Sequence, residues 1–391
     1  MPSHETPVQP KSFGVVFQRL DLIVLAAFLV AVAAGSWMGL FQWDTEVYFW
    51  AGRAWMNGAD PYDLMLLTKM TGKLPLPFVY PPTVLPFLGI LSLLPLPLFH
   101  LVFLAAKVGA LILLIRCWRR IVGEHAGSLV WFAMLGFHGA LFSDLGAGNI
   151  AVFEVLLAWL ALEAWIEGRT ERFAALIVLA GQPKLAPFAF LAMLTWRSPR
   201  HRRILAGSIA GLAALMGILV VISPDAWSRF LSVAAAIDER GRNNPCQMAL
   251  WRDLMGIATG SIASGKAMIP YLLVSLAVGL ATWTVGYRAS GRGTEERRRA
   301  VLLAVLAYAL IVPRFKDYSY LLLTPAAVEV FETMPSYKII KYIFLVLGLM
   351  PFIPFSEHLP LVFAYLPLAW TAWFWWLLIR REAAADRSAV V

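Results

Sequence analysis

The chain has 391 residues, 60% of them hydrophobic and only 15% charged, against about 25% charged residues in a soluble globular domain. A water-soluble globule is excluded. The formal net charge of +9 does not point to nucleic acid. The excess sits in short clusters between apolar runs, namely Arg116, Arg119 and Arg120; Arg200, Arg202 and Arg203; Arg297 to Arg299; and Arg380 and Arg381, as the positive-inside rule expects of loops between membrane spans.

Apolar stretches of about 17 to 25 residues predict an all-α, polytopic transmembrane helix bundle, because helices satisfy their own backbone groups in hydrocarbon. A polar stretch with Lys11 and Arg19 leads into the first span, Leu22 to Leu40, whose start is cytoplasmic by the charge rule. Ala31 and Ala33 bear only a faint likeness to a signal-peptidase site, and the segment is read as retained. Further spans are expected at about Thr83 to Leu96, Leu98 to Ile115, Gly127 to Leu145, Ile150 to Ile166, Ala174 to Trp196 and Ile204 to Ile222. After a polar break follow Ile269 to Tyr287, Ala300 to Val312, Tyr318 to Phe331, Ile339 to Phe355 and Pro360 to Ile379.

The sum is about twelve spans in one transmembrane domain covering residues 1–391, with both termini in the cytoplasm. That parity leaves Arg116, Arg119 and Arg120 outside, against the charge rule. The run Pro81, Pro82, Pro86, Pro95 and Pro97 can instead form a short re-entrant segment that reverses it. Two long non-cytoplasmic loops, residues 41–80 and 223–268, are of a size commonly given to function.

In the first loop, Val47, Trp50, Ala51, Ala54 and Trp55 share a helical face and predict a helix lying in the interface. Asp44 follows the first span in Phe41-Gln42-Trp43-Asp44-Thr45-Glu46. Partial desolvation there raises a carboxylate's pKa and makes it a better general base, while aromatic neighbours suit a sugar or a lipid; a solvated loop charge is the plainer alternative. Asn57 to Asp63 reads as a turn, and Tyr80-Pro81-Pro82 as the start of the next helix.

Lys184, in Gly181-Gln182-Pro183-Lys184-Leu185-Ala186-Pro187, interrupts an apolar run near its middle. A charge at that depth faces a cavity or a partner; the alternatives are snorkelling or pairing with Asp144 or Glu163. Pro313-Arg314-Phe315-Lys316-Asp317-Tyr318 lies between two short apolar runs on the outer side. Two cations in a tight outer turn call for a local anion, such as a lipid-borne phosphate, or else for pairing with Asp317 and headgroups. Asp238, Glu239, Arg240 and Arg242 form a polar patch in the second loop fit for a lid or an acceptor surface. His138 and His358, Cys117 and Cys246 fall in no metal-binding, disulfide or nucleotide motif, so neither metal nor cofactor is expected.

Taken in order, Asp44 with Tyr48-Phe49-Trp50-Ala51-Gly52-Arg53, Asn57 to Tyr62, Tyr80-Pro81-Pro82, the Gly148-Asn149 turn, Lys184 to Pro187 and the segment from Pro313 to Pro325 resemble glycosyltransferase family 87. These are polyprenol-phosphate-dependent mannosyltransferases and their relatives in the GT-C superfamily. The resemblance implies transfer of a sugar, mannose or similar, from a polyprenyl-phosphate donor to the hydroxyl of a glycan or glycolipid acceptor. It implies inversion without a nucleotide sugar, Asp44 as base, and a bacterial inner membrane with the site facing the periplasm or exterior. Gly146-Ala147-Gly148-Asn149 and Arg314-Phe315-Lys316-Asp317 depart from the family's pattern, and the second leaves the sugar open.

On this reading Arg314 and Lys316 hold the phosphate with help from Lys184. Glu46 and Asp317 orient these groups, and Trp50, Trp55 and Tyr318 stack on sugar or lipid. A transporter or flippase of lipid-linked sugars is the competing class, and a structural assembly subunit a third.

Overall fold

The computed structural model describes residues 12–37, 41–72, 74–195, 199–260, 264–289, 291, 293–349 and 361–388. Helices and no strand occur among them, so the all-α membrane bundle is what the chain forms. Three helical stretches, Leu96–His138, Arg200–Ile222 and Gly265–Ala289, are long and apolar enough to cross a membrane. His358, Trp196 and residues 350–355 of one expected span lie outside the described residues.

After α1 (Ser12–Trp37) the chain stays at one end of the bundle through α2 (Trp43–Met56), α3 (Leu64–Thr71) and α4 (Leu85–Leu91). Of the expected apolar face of α2, Val47, Ala51 and Ala54 are buried while Trp50 and Trp55 are half-buried, and Tyr48, Phe49 and Gly52 are buried beside them. This face is covered by α4. Gly52 permits this, since a Cβ there would meet the Leu88 carbonyl at 2.5 Å. Arg53 ties the far end of α2 to the Ser92 carbonyl at 2.9 Å.

The apolar stretch Pro82–Leu91 has 10 residues. At 1.5 Å per residue it reaches about half-way across roughly 30 Å of hydrocarbon. The expected span Thr83 to Leu96 therefore does not cross, and α5 (Leu96–Val122) starts at the same end as α4. This carries Arg116, Arg119 and Arg120 to the opposite end, where Arg120 pairs with Glu163 at 2.9 Å near the close of α8.

α6 (Leu129–Leu135) and α7 (Ala140–Ala147) form one broken span, kinked at Phe137 and His138, whose φ values are 49° and 60°. α8 (Ala151–Ile166) returns to the basic end. α9 (Thr170–Ala180) rises from there, breaks at Gly181 to Lys184, and the chain comes back as a 3₁₀ stretch, Ala186–Thr195. Pro183 and Pro187 deny a continuous helix by removing donors and restricting the residue before each.

Both ends of this hairpin are fixed. Thr170 lies 3.4 Å from His201, and Glu171 accepts from Arg200 at 3.0 Å, so α10 (Pro199–Ile222) begins where α9 began. The expected span from Ala174 thus turns back on itself within the described residues, as a re-entrant segment does.

Beyond α10 come α11 (Pro224–Ala236) and α12 (Gln247–Thr259) in the second long loop, then α13 (Ser264–Ala289) and α14 (Thr294–Ile311). Asp317–Leu323 is a 3₁₀ stretch that leads into α15 (Thr324–Thr333), followed by α16 (Lys338–Leu347), α17 (Leu361–Ala364) and α18 (Leu366–Ser388). Glu329 accepts from Arg298 and Arg381, each at 2.8 Å, and Glu332 from Lys341 at 2.6 Å. The basic clusters on α5, α10, α14, α16 and α18 therefore share one end, and the polar groups described next share the other.

Candidate active site

Asp44 stands in the first turn of α2, half-buried. Three groups lock that turn to the end of α7. Gln42 adopts a left-handed conformation, φ 74°, and donates its side-chain amide to the Leu145 carbonyl at 2.8 Å. The Gln42 backbone N–H donates to the Gly146 carbonyl at 2.7 Å, and Thr45 Oγ1 to the Gly148 carbonyl at 3.0 Å. Gly148 ends α7 with φ 71°, and a Cβ there would collide with Thr45 Oγ1. Only glycine meets both demands.

The next residue, Asn149, is fully buried and directs the carboxylate. Its Nδ2 donates to Asp44 Oδ2 at 2.6 Å and to the Tyr80 hydroxyl at 2.8 Å, and its Oδ1 accepts from the Ala151 N–H at 3.0 Å at the start of α8. Tyr80 meets Tyr48 hydroxyl to hydroxyl at 2.7 Å. Beneath them Lys107, wholly buried on α5, pairs with Asp144 at 2.9 Å and donates to the carbonyls of Asp144 at 2.7 Å and Asn149 at 2.5 Å. Those carbonyls lie at the close of α7, and the ammonium adds a donor there to the Gly148 and Asn149 N–H groups that already reach the Asp144 carbonyl.

Burial pushes the Asp44 carboxyl above its ordinary pKa. The Asn149 hydrogen bond and the charges of Lys316 and Lys107 pull it back without cancelling the effect. A carboxylate so placed is a stronger base than a solvated one.

Beside it opens a cleft of about 670 Å³ whose lining includes Tyr80, Lys184, Arg314, Lys316 and Tyr318. Its volume lies in the range that holds a drug-sized ligand. Lys184 is paired with Glu154 at 2.7 Å and lies 4.8 Å from the centre of the Tyr318 ring, which Lys316 also faces at 5.4 Å. Arg314 and Lys316 both donate to Glu239, at 2.7 and 2.9 Å. Asp317 accepts from Ser143 and, with Lys316, lies within electrostatic reach of Asp44. Asp44 does not line the cleft itself. It is joined through Asn149 to Tyr80, which does.

Of the residues the sequence singled out, Asp44, Lys184, Arg314, Lys316, Asp317 and Tyr318 come together here. Glu46 is two residues on from Asp44, about 200° around the helix, and Trp50 packs against Phe49 at 5.0 Å; neither is part of the cleft wall. The partners expected for Lys184 are both engaged, Asp144 with Lys107 and Glu163 with Arg120, and Glu154 takes their place. Cations at Arg314 and Lys316 pair with Glu239 rather than with Asp317.

The residues missed as site members are Lys107, Asn149, Glu154, Tyr48 and Tyr80, and Glu239, expected only in a lid or acceptor patch, belongs to the cation site. Lys107 and Glu154 carried a readable signal, each being a lone charge inside an apolar run.

Comparison with known proteins agrees with this architecture. The sequence profile of glycosyltransferase family 87 matches residues 78–313. The chain is 24% identical over 318 residues to a polyprenol-phosphate-mannose-dependent alpha-(1-2)-phosphatidylinositol pentamannoside mannosyltransferase of Mycolicibacterium smegmatis, covering 79% of this chain and 74% of that protein. No solved structure matches. Asp44 and the segment from Arg314 to Tyr318 lie outside the profile match, so their convergence rests on the geometry alone. The chain belongs to glycosyltransferase family 87 and is a membrane glycosyltransferase.

Proposed function

We propose that the protein moves a sugar, mannose or a close relative, from a polyprenyl-phosphate donor to a hydroxyl of a glycan or glycolipid on the non-cytoplasmic face of the bacterial inner membrane. The observation that carries this reading is the meeting of a hydrogen-bonded carboxylate, Asp44, with a cleft carrying Lys184, Arg314 and Lys316. The named activity of the mycolicibacterial relative supports the donor class and a mannosylated phosphatidylinositol as the kind of acceptor.

In the reaction, the acceptor oxygen attacks the anomeric carbon while Asp44 takes its proton. The new carbon–oxygen bond forms as the bond from that carbon to the phosphate oxygen breaks, and its electron pair leaves on polyprenyl phosphate. Attack on the side opposite the phosphate inverts the anomeric centre. Arg314 and Lys316 meet the charge that grows on the leaving phosphate. A preorganised donor of this kind is worth roughly 3 kcal/mol, about a hundredfold in rate. The apolar remainder of the cleft, with Val79, Phe230 and Ala234 among its lining, suits the polyprenyl chain next to its phosphate.

The test uses purified protein in detergent, where no compartments exist, with labelled polyprenyl-phosphate mannose and a mannosylated phosphatidylinositol. Formation of a glycosidic product of inverted configuration is expected. Movement of labelled lipid between vesicle leaflets with no such product would make the protein a flippase.

A further inference from the structure

Glu239 comes from the second long loop, yet both its carboxylate oxygens are committed to the two cations of the cleft: Oε2 accepts from Arg314 and Oε1 from Lys316. Burial would raise its pKa, but the charges and hydrogen bonds of Lys316 and Arg314 outweigh this and hold the carboxyl below its ordinary value. The two cations thus favour its ionised form.

Its position is fixed from both sides. The Asn244 amide donates to the Glu239 carbonyl at 2.9 Å and accepts from the Phe315 N–H at 3.0 Å. Tyr320 donates to the Pro245 carbonyl at 2.6 Å. The loop around Glu239 is thus stitched to the Pro313–Tyr320 segment, and the carboxylate is a built part of the cation site.

The charges around it are otherwise balanced. Lys184 has Glu154, and Arg240 and Arg252 are matched by Asp238 and Asp253, Arg240 meeting the two carboxylates at 3.2 and 3.0 Å and Arg252 meeting Asp238 at 2.8 Å. Arg314, Lys316 and Glu239 together carry a single positive charge, the neighbouring carboxyls being engaged elsewhere, Asp317 by Ser143 and Asp44 by Asn149. That matches a donor phosphodiester, which carries one negative charge. It undermatches the product, a phosphomonoester carrying about −1.5 to −2 at pH 7. With Arg314 and Lys316 alone, in a partly desolvated site, the product would be held more tightly than the donor, and release would limit turnover.

We propose that Glu239 sets the phosphate-charge selectivity of the cleft, matching it to a lipid phosphodiester and favouring expulsion of the lipid phosphomonoester product. This rests on reading Arg314 and Lys316 as the phosphate clamp.

The experiment compares the donor KM for polyprenyl-phosphate mannose with the KI of polyprenyl phosphate as product inhibitor, in detergent. Glu239→Gln is expected to lower KI at least about tenfold and the donor KM by less than about threefold, with a fall in kcat. Glu239→Asp, which keeps the charge, is expected to stay near the parent ratio of the two constants. The parent alone supplies a second reading: it should bind polyprenyl phosphate and its methyl diester within about threefold of each other. A Glu239→Gln protein with an unchanged ratio, or a parent that prefers the monoester more than about tenfold, overturns the inference. The variant carrying Arg314→Ala and Lys316→Ala separates the two layers. Weakened binding of both lipids sustains the clamp, and unchanged KM and KI would remove the clamp and the inference together.

Discussion

Lys107→Met is the perturbation that separates what holds the fold from what aims Asp44, the proposed base. The lysine and Asp144 are both fully buried. Methionine fills nearly the same volume but strands Asp144 as an uncompensated charge, a loss of about 3–5 kcal/mol. It also removes the donor to the carbonyls of Asp144 and Asn149. At roughly 2 °C per kcal/mol for a large chain, thermal unfolding of the purified protein in detergent should begin about 6–10 °C lower.

Adding Asp144→Leu removes the stranded charge, and buried pairs replaced by well-packed apolar groups often leave stability unchanged or raised. The double variant should therefore regain the parent's thermal stability. Its sugar transfer should stay reduced by about tenfold or more, because the Asn149 backbone has lost its anchor and Asn149 aims Asp44. An unchanged unfolding temperature for Lys107→Met refutes the energetic part of this reasoning. Full activity in the double variant refutes the positioning part.

Asn149→Ala removes the hydrogen bond that opposes the burial-raised pKa of Asp44. A base works only above its pKa, so the acid limb of the kcat/KM profile should move to higher pH; an unmoved or lower limb contradicts the arrangement. Gly148→Ala forces a side chain into a left-handed conformation, costing about 1–2 kcal/mol, and drives its Cβ into Thr45; kcat should fall more than KM changes, and wild-type turnover would show that the α2–α7 lock does not matter. Arg172→Cys and Arg203→Cys flank the re-entrant hairpin and should react with an impermeant thiol reagent from the same membrane side. Reaction from opposite sides would restore a full span.

Much of the fold was legible because its causes are local. Apolar length makes spans, basic clusters mark one end, and Pro183 with Pro187 breaks a helix wherever it lies. The direction of the chain after a break was not legible. That the span from Ala174 turns back depends on Thr170 meeting His201, a contact 31 residues apart in sequence.

The site divided along the same line. Asp44, Lys184, Arg314 and Lys316 stood out because each is an expensive charge at its depth. Their partners did not, since Asn149 lies 105 residues from Asp44, and Glu239 lies 75 and 77 from Arg314 and Lys316. Spacing within one helix carries no information about pairs that only the tertiary fold creates.

Single-turnover transfer by Asp44→Asn, in purified protein with saturating lipid-linked sugar, tests the role of the carboxylate most directly. The amide keeps the shape, and at its carbonyl oxygen can still accept from Asn149, but it cannot take a proton. General-base removal costs about 10² to 10⁴ in rate, so a fall of about 10³ with donor binding retained is the expected result. Transfer within about threefold of the parent would mean that another group removes the proton.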